Sequence, residues 1–306
     1  MEKIKPIKLR EGMSVKELVG QMAGAGFGAR KIGLASEIAT KMFSDNDCRV
    51  FMGLAGAMVP AGMKQIIIGL VRGKKIDVLV STGANLTHDL IEAIGEEHFH
   101  CDNWDDEEFN EKGFDRIYNV LMKNKVYVTL EKFFVEHFDK FKECKNVKEF
   151  LRKIGELLPK GNESILRVCF ENNVELYCPA IADSGIGLMI WGRLVEGKNL
   201  GIDVFGDMKD IIDLAWTAKK SGVIYVGGGT PKNFIQQSLQ FSKGADYGIQ
   251  ITTDRAESGG SSGASLEEGK SWGKLKKDAD FVDVLIDATV ALPLIFAGSF
   301  AKEGKD

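Results

Sequence analysis

The chain has 306 residues, 44% of them hydrophobic and 27% charged, which is enough to bury a substantial core as one large domain or two and excludes a disordered chain. Its formal net charge of −4 offers no basic surface for nucleic acid or an anionic membrane, although it tolerates a basic protein or a polyamine as partner. Five scattered cysteines (Cys48, Cys101, Cys144, Cys169 and Cys178) have neither disulfide-framework nor zinc-site spacing, no segment reaches the apolar length of a membrane span, and the start MEKIKPIKLREGMS has no leader-like apolar run. The expectation is a cytoplasmic protein without a metal.

Short β-branched runs alternate with amphipathic ones along the chain, the pattern of strands separated by helices in a mostly parallel sheet. Strands are expected at about 48–54, 76–80, 174–179, 223–226, 247–253 and 281–287. Between the first two, Met63 to Val71 carries apolar residues evenly, as a helix buried on several sides would. From Glu97 to Glu171 the composition shifts to Phe, Lys, Glu and Asn, with HFHCDNWDDEEFNEKG near the start. This stretch reads as a charged insertion of loops and helices within a single domain spanning 1–306. Its His98, His100, Cys101 and Asp102 match no standard metal spacing. Further on, Asp210 to Lys220 places Ile211, Leu214, Ala215 and Ala218 on one helical face, with the lysine pair and Gly222 as a helix stop. Ala288 to Phe300 reads as an apolar helix.

Small or polar residues follow nearly every expected strand: Ala55-Gly56-Ala57, Ser81-Thr82-Gly83-Ala84-Asn85, Ala182-Asp183-Ser184-Gly185, Gly227-Gly228-Gly229-Thr230, Thr252-Thr253-Asp254 and Asp287-Ala288-Thr289. Doubly wound sheets bind ligands outside these carboxyl ends, where glycines admit a pyrophosphate to backbone N–H groups and an acidic residue accepts from ribose hydroxyls. Each loop alone is weak, and no GxGxxG fingerprint is present. Six together, with Asp183 and Asp287, predict a dinucleotide crevice, and both aspartates also suit helix capping. The expected fold class is α/β, a Rossmann-like, mostly parallel sheet with helices on both faces.

The most informative stretch is Ser271-Trp272-Gly273-Lys274, which follows the run Glu257-Ser-Gly-Gly-Ser-Ser-Gly263. A lysine beside a tryptophan, next to a loop able to follow a phosphate backbone, suits covalent imine chemistry. Together with Val80-Ser-Thr-Gly-Ala84, Pro179-Ala-Ile-Ala-Asp183, Val226-Gly-Gly-Gly229, Thr252-Thr253 and Ile286-Asp-Ala288 in that order, the gap-free run from Thr252 to Lys274 resembles the deoxyhypusine synthase family. The region Met22 to Arg30 is similar to that family's N-terminal part.

The resemblance implies NAD at Thr82, Gly83, Asp183, Gly227, Gly228, Thr253, Gly259, Gly260, Asp287 and Ala288. It implies Lys274 as catalytic nucleophile and Trp272, Glu268 and Asn233 at the substrate. The implied reaction moves a 4-aminobutyl group from spermidine through a Lys274 imine to one lysine of a translation initiation factor 5A-type protein, releasing 1,3-diaminopropane. Homotetramers are implied as well. The chain departs from eukaryotic members at three substrate positions. Leu188 stands where an aspartate is found shortly after the Asp183 equivalent, Asn233 replaces a histidine, and Ser261 replaces a further aspartate. His88 falls where a glutamate lies near the cofactor, and at a helix start beside Asp89 it reads first as a local hydrogen-bonding residue. Two alternatives follow from these departures: a homospermidine-type polyamine synthase with another amine donor or acceptor, and a non-catalytic NAD-binding paralogue. Retention of Lys274 weighs against the second.

Overall fold

The computed structural model describes residues 2–102 and 105–299; Asn103 and Trp104 of the acidic stretch, and Phe300 at the end of the expected last helix, lie outside them. In chain order the first elements are α1 (Val15–Met22), α2 (Phe27–Ser44), β1 (Cys48–Leu54), α3 (Lys64–Arg72), β2 (Val78–Ser81), α4 (Gly83–Ala93) and β3 (His98–His100). Next come α5 (Asp106–Glu111), β4 (Phe114–Ile117), β5 (Val120–Lys123), α6 (Val126–Phe141), α7 (Val147–Leu157), α8 (Ile165–Asn172) and β6 (Glu175–Tyr177). The last are α9 (Gly185–Val195), α10 (Phe205–Thr217), β7 (Lys220–Val226), α11 (Gly229–Gln240), β8 (Ala245–Thr252), β9 (Leu275–Leu285) and α12 (Ala288–Ser299). The chain forms two compact units, one of residues 1–55, 75–80 and 208–306, the other of 56–74 and 81–207.

The first unit is built on strands in the order β2-β1-β7-β8-β9, and the pairs β1/β7, β7/β8 and β8/β9 are parallel. Strands buried on both faces must be apolar throughout. Accordingly Val50, Phe51, Met52 and Leu54 of β1, and Val223 to Val226 of β7, are nearly inaccessible. The register pairs Leu54 with Val226, Val226 with Ile251 and Ile251 with Val284, so the carboxyl ends of four strands finish side by side. The order reverses between β1 and β7, the switch point at which such sheets open a crevice. Helices α1, α2 and α12 pack on one another, with α2 also on β8 and β9. The Ser14 hydroxyl and the Glu17 carboxylate close a reciprocal capping box at the start of α1.

Strand β7 begins at Lys220, earlier than the sequence pattern indicates, and α10 ends at Thr217. The Lys219-Lys220 pair is therefore not the helix stop. Lys220 instead opens the strand, where its ammonium pairs with Asp45 at 2.6 Å.

In the second unit the region read as loops and helices also contains an antiparallel sheet, β3-β5-β4. Its strands are three or four residues long, too short to show a period, and β4 and β5 join through Tyr118-Asn119, with Tyr118 at φ 53 where glycine is usual. The core beneath α6 and α7 is aromatic: Phe141 and Phe150 meet edge to face with centroids 5.0 Å apart, and Phe134 lies 5.6 Å from Phe141. Asp89, fully buried on α4, holds the start of α8. Its carboxylate accepts from Ser164 Oγ (2.7 Å), Ile165 N (2.8 Å) and Leu166 N (3.0 Å). No helix among the described residues is long and apolar enough to cross a membrane.

Candidate active site

The parallel register of the first unit brings four sequence-predicted loops to one rim. Ala55 N donates to Val226 O (2.9 Å), Gly227 N to Ile251 O (2.7 Å) and Ile286 N to Thr252 O (3.2 Å), so each chain leaves its strand beside its neighbour. Gly227 turns there with φ +70, and Gly228 is buried beneath the glycine- and serine-rich loop. A Cβ on Gly228 would lie 2.2 Å from Ser262 Cα, so only glycine lets the two backbones meet. Gly228→Ala should therefore cost about 1–3 kcal/mol and speed proteolytic cleavage within residues 255–265. Urea unfolding and limited proteolysis measure both, and an unchanged midpoint with unchanged cleavage would show that the loop can move aside.

Beyond Ser262 the loop enters a 3₁₀ turn, Glu267–Lys270, and reaches Lys274 at the head of β9. Gly273, at φ +72, turns the chain so that Lys274 N donates to Gly269 O (2.9 Å) while Lys274 O accepts from Ala245 N (3.1 Å). Lys274 is half-buried, and its Nζ lies 4.9 Å from the Trp272 ring centroid, within cation–π range. Trp272 is 56% exposed, so it is not core packing; its face is presented to a ligand or solvent. Glu268 is exposed, one 3₁₀ turn before Trp272, and Asn233 is half-buried on α11.

Thr253, Gly259, Gly260 and Asp287 are exposed at this rim. Asp287 also performs the expected capping, its Oδ1 accepting from Thr289 N at 2.8 Å, with Ala288 opening α12. A cleft of about 300 Å³ lies against the ends of β8 and β9, lined by Gln250, Thr252, Asp254, Gly263, Ser265 and Asp283 among others. Burial pushes the Asp283 carboxyl up, although it accepts from Leu266 N at 3.1 Å.

In the second unit, Thr82 caps α4, its hydroxyl accepting from Asn85 N (3.4 Å) and donating to Gly56 O (3.2 Å). A Cβ on Gly83 would stand 2.4 Å from Ser184 Cβ, so this glycine has a packing reason of its own. Ser184, not Asp183, caps α9 by accepting from Gly187 N (3.1 Å), which leaves Asp183 exposed beside it. Leu188, on the next turn of α9, is 54% exposed, together with Trp191, Leu194 and Val195 of the same helix. His88 does hydrogen-bond, but to His98 on β3 and not locally at the helix start beside Asp89. His88 Nδ1 meets His98 Nε2 (2.9 Å), His98 Nδ1 meets Glu92 Oε1 (2.8 Å), and Lys64 closes on the other Glu92 oxygen. Burial, with the neighbouring His98, depresses His88 to about 4.

One residue escaped the motif reading. Lys232, 1% exposed on α11, donates from Nζ to Ser261 O (2.5 Å) and Ala264 O (2.7 Å). Burial, aided by the charge of Lys274, lowers it to about 8 against the opposing carboxylates of Asp283 and Glu268. The signal was in the sequence: Lys232, Ile235, Gln236 and Leu239 share a helical face, and the last three are buried.

Fold and site together define a parallel α/β protein with a lysine–tryptophan pair at the strand ends. A family model of deoxyhypusine synthase matches residues 17–299. The probable deoxyhypusine synthase 1 of Methanosarcina acetivorans is 42% identical over 295 residues, covering 95% of this chain and 92% of that protein. The probable deoxyhypusine synthase 1 of Archaeoglobus fulgidus is 40% identical over 291 residues, covering 95% of each. The chain belongs to the deoxyhypusine synthase family, a family of transferases. The fold is also that of an Entamoeba histolytica protein described as a candidate deoxyhypusine synthase (TM-score 0.70, 21% identity, 98% of this chain and 97% of that one).

Proposed function

We propose that this protein transfers the 4-aminobutyl group of spermidine, with NAD as cofactor, through an imine on Lys274 to a lysine of an initiation factor 5A-type protein. The observation that carries the reading is the half-buried Lys274 beside an exposed Trp272 face, within a family match that spans most of the chain.

When bound, NAD supplies hydride acceptance from, and return to, the carbon beside the transferred amine. The loops suit such a group. A Cβ built on Gly229 or Gly259 meets no heavy atom within 4 Å, so the backbone there lies open to close approach. In the first unit the proposed cofactor residues are Gly227, Gly228, Thr253, Gly259, Gly260, Asp287 and Ala288; in the second they are Thr82, Gly83 and Asp183. Asp287 is exposed and its Oδ1 is anchored by Thr289 N, which supports a role for its carboxylate as an acceptor from a ribose hydroxyl.

Lys274 acts as nucleophile. Its amine nitrogen adds to the electrophilic carbon of the donor imine, the C–N bond to the leaving nitrogen breaks as the Lys274 imine forms, and 1,3-diaminopropane departs with the two protons that the Lys274 amine gives up. Trp272 flanks an alkylammonium with its ring face, and the Glu268 carboxylate offers it a counter-charge. Asn233 contributes an amide to the same substrate. A homotetramer and a cytoplasmic setting go with this reading.

A second reading starts from one departure. Leu188, exposed on α9, stands at the sequence position where the resemblance implies a carboxylate for a polyamine cation, which leaves room for another amine donor or acceptor, as in a homospermidine-type synthase. Borohydride trapping with NAD and labelled spermidine, followed by peptide mapping and diamine analysis, separates the two. A four-carbon adduct trapped on Lys274, with the label passing to a protein lysine when borohydride is omitted and the acceptor factor is added, supports the first; the same trapped adduct, with label passing without borohydride only to a free polyamine, supports the second. No adduct in the presence of bound NAD would overturn both.

A further inference from the structure

The loop that carries the family resemblance has no regular secondary structure between Ser261 and Leu266, yet it must hold Glu268, Trp272 and Lys274 in one arrangement. A segment of that kind keeps its shape only if its polar backbone groups are satisfied from outside. Four contacts within the first unit do this, and a fifth holds the Ser262 side chain. The Lys232 ammonium donates to the carbonyls of Ser261 (2.5 Å) and Ala264 (2.7 Å). Gln250 Nε2 reaches the same Ala264 oxygen (3.0 Å), Gly229 N donates to Ser262 Oγ (2.8 Å), and Leu266 N to Asp283 Oδ1 (3.1 Å).

Lys232 differs from the others in burying a full positive charge, which costs far more than burying an amide. No carboxylate bonds to its Nζ among the described contacts; two backbone carbonyls do. A long apolar side chain would fill the same space at lower cost. The charge is thus explained by what it holds. Charge-assisted hydrogen bonds are about twice as strong as neutral ones, and two of them to carbonyls three residues apart fix the curvature of the strap between.

We propose that Lys232 is a positioning residue, a buried ammonium clamp that sets the conformation of the 261–266 strap and through it the placement of Glu268, Trp272 and Lys274. As far as its effect on the reaction is concerned, the clamp rests on the transferase reading given above; its effect on the strap does not.

The test compares wild type with Lys232→Met, which keeps the stem but removes the donors, and with Lys232→Gln, whose amide is one bond too short to hold both carbonyls. Hydrogen exchange of the amides of residues 261–266 is followed in the full-length protein, together with the rate of borohydride-trapped adduct formation on Lys274 and the thermal midpoint. With Lys232→Met, strap exchange should rise at least about tenfold and adduct formation fall at least about tenfold, the loss appearing in kcat more than in KM, while exchange in β1 and β7 stays at wild-type rates. Lys232→Gln should give smaller changes of the same sign. Wild-type exchange in the strap of a folded variant, either Met or Gln, would reduce Lys232 to packing and overturn the clamp. If wild type itself forms no adduct, the transferase reading falls, and the exchange comparison still decides the clamp.

Discussion

Replacing Lys274 by alanine should abolish the trapped four-carbon adduct and lower turnover at least ~10³-fold, with little change in thermal midpoint. Its structural bonds are made by its backbone, through Gly269 O and Ala245 N, so the side chain can be removed without opening the turn. Lys274→Arg should be as inactive as the alanine variant, although it keeps charge and much of the length, because a guanidinium stays protonated and offers no lone pair to an imine carbon. The pair of variants separates a nucleophile from a cation that merely orients substrate. An arginine variant retaining a tenth of the wild-type rate would remove Lys274 from the covalent step. Bound NAD, read from protein fluorescence quenching, should survive in both.

The second large effect concerns stability against pH and falls on two adjacent buried residues whose shifts oppose each other. Burial raises Asp89 to about 6 despite its three hydrogen bonds, and burial, with His98 beside it, depresses His88 to about 4. For Asp89 the folded value lies above the unfolded one. Between pH of about 4 and 6 the native state holds a proton that the unfolded chain has lost, so its contribution declines as pH rises through that window. For His88 the folded value lies below the unfolded one. Between about 4 and 6.5 the unfolded chain holds the extra proton, so its contribution declines as pH falls. Each amounts to about 3 kcal/mol over its window, and over the shared range the two slopes nearly cancel.

Wild type should accordingly show little net pH dependence from this pair between pH 4 and 6. His88→Gln should expose the Asp89 slope, with stability falling by ~3 kcal/mol from pH 4 to 6. Asp89→Asn should expose the opposite slope. It should also lie ~3 kcal/mol below wild type at pH 6, because an amide cannot accept from Ser164 Oγ, Ile165 N and Leu166 N together, and the gap should widen as pH falls toward 4. Urea unfolding at four pH values measures all of this. A flat profile in His88→Gln would mean that the Asp89 proton is not held in the native state.

The candidate site was legible because it lies in a continuous run. Thr252 to Lys274 contains the strand end, the glycine turns, Glu268, Trp272 and the proposed nucleophile, so local order in the chain already places them in one loop. Helix caps were partly legible: Asp287 caps α12 as its position suggests, whereas at α9 the neighbouring Ser184 takes the role offered to Asp183. The antiparallel sheet of the second unit was not legible, since its three- and four-residue strands carry no measurable period and gain their stability from pairing. The Lys219-Lys220 pair was misread for a related reason. A basic pair suits a helix end by local electrostatics, but the salt bridge from Lys220 to Asp45 joins residues 175 apart in sequence, and only the folded chain brings Asp45 to it.

The pattern of residues by itself determined the parallel α/β class, because strands buried on both faces must be runs of β-branched and aliphatic side chains with glycine at their ends. It also determined the family, since five ordered motifs and one gap-free run from Thr252 to Lys274 do not need coordinates to be recognised. Tertiary structure alone decided which loops share a rim, through the β1/β7/β8/β9 register, and why particular glycines are required there: Gly228 meets Ser262 across 34 residues of sequence. It alone decided that Trp272 faces outward while Lys232 is sealed inside, and that His88 and Asp89 titrate in opposite senses. Desolvation and charge–charge coupling depend on what the folded chain brings within a few ångströms of a group, and those neighbours are set by packing between segments distant in the chain.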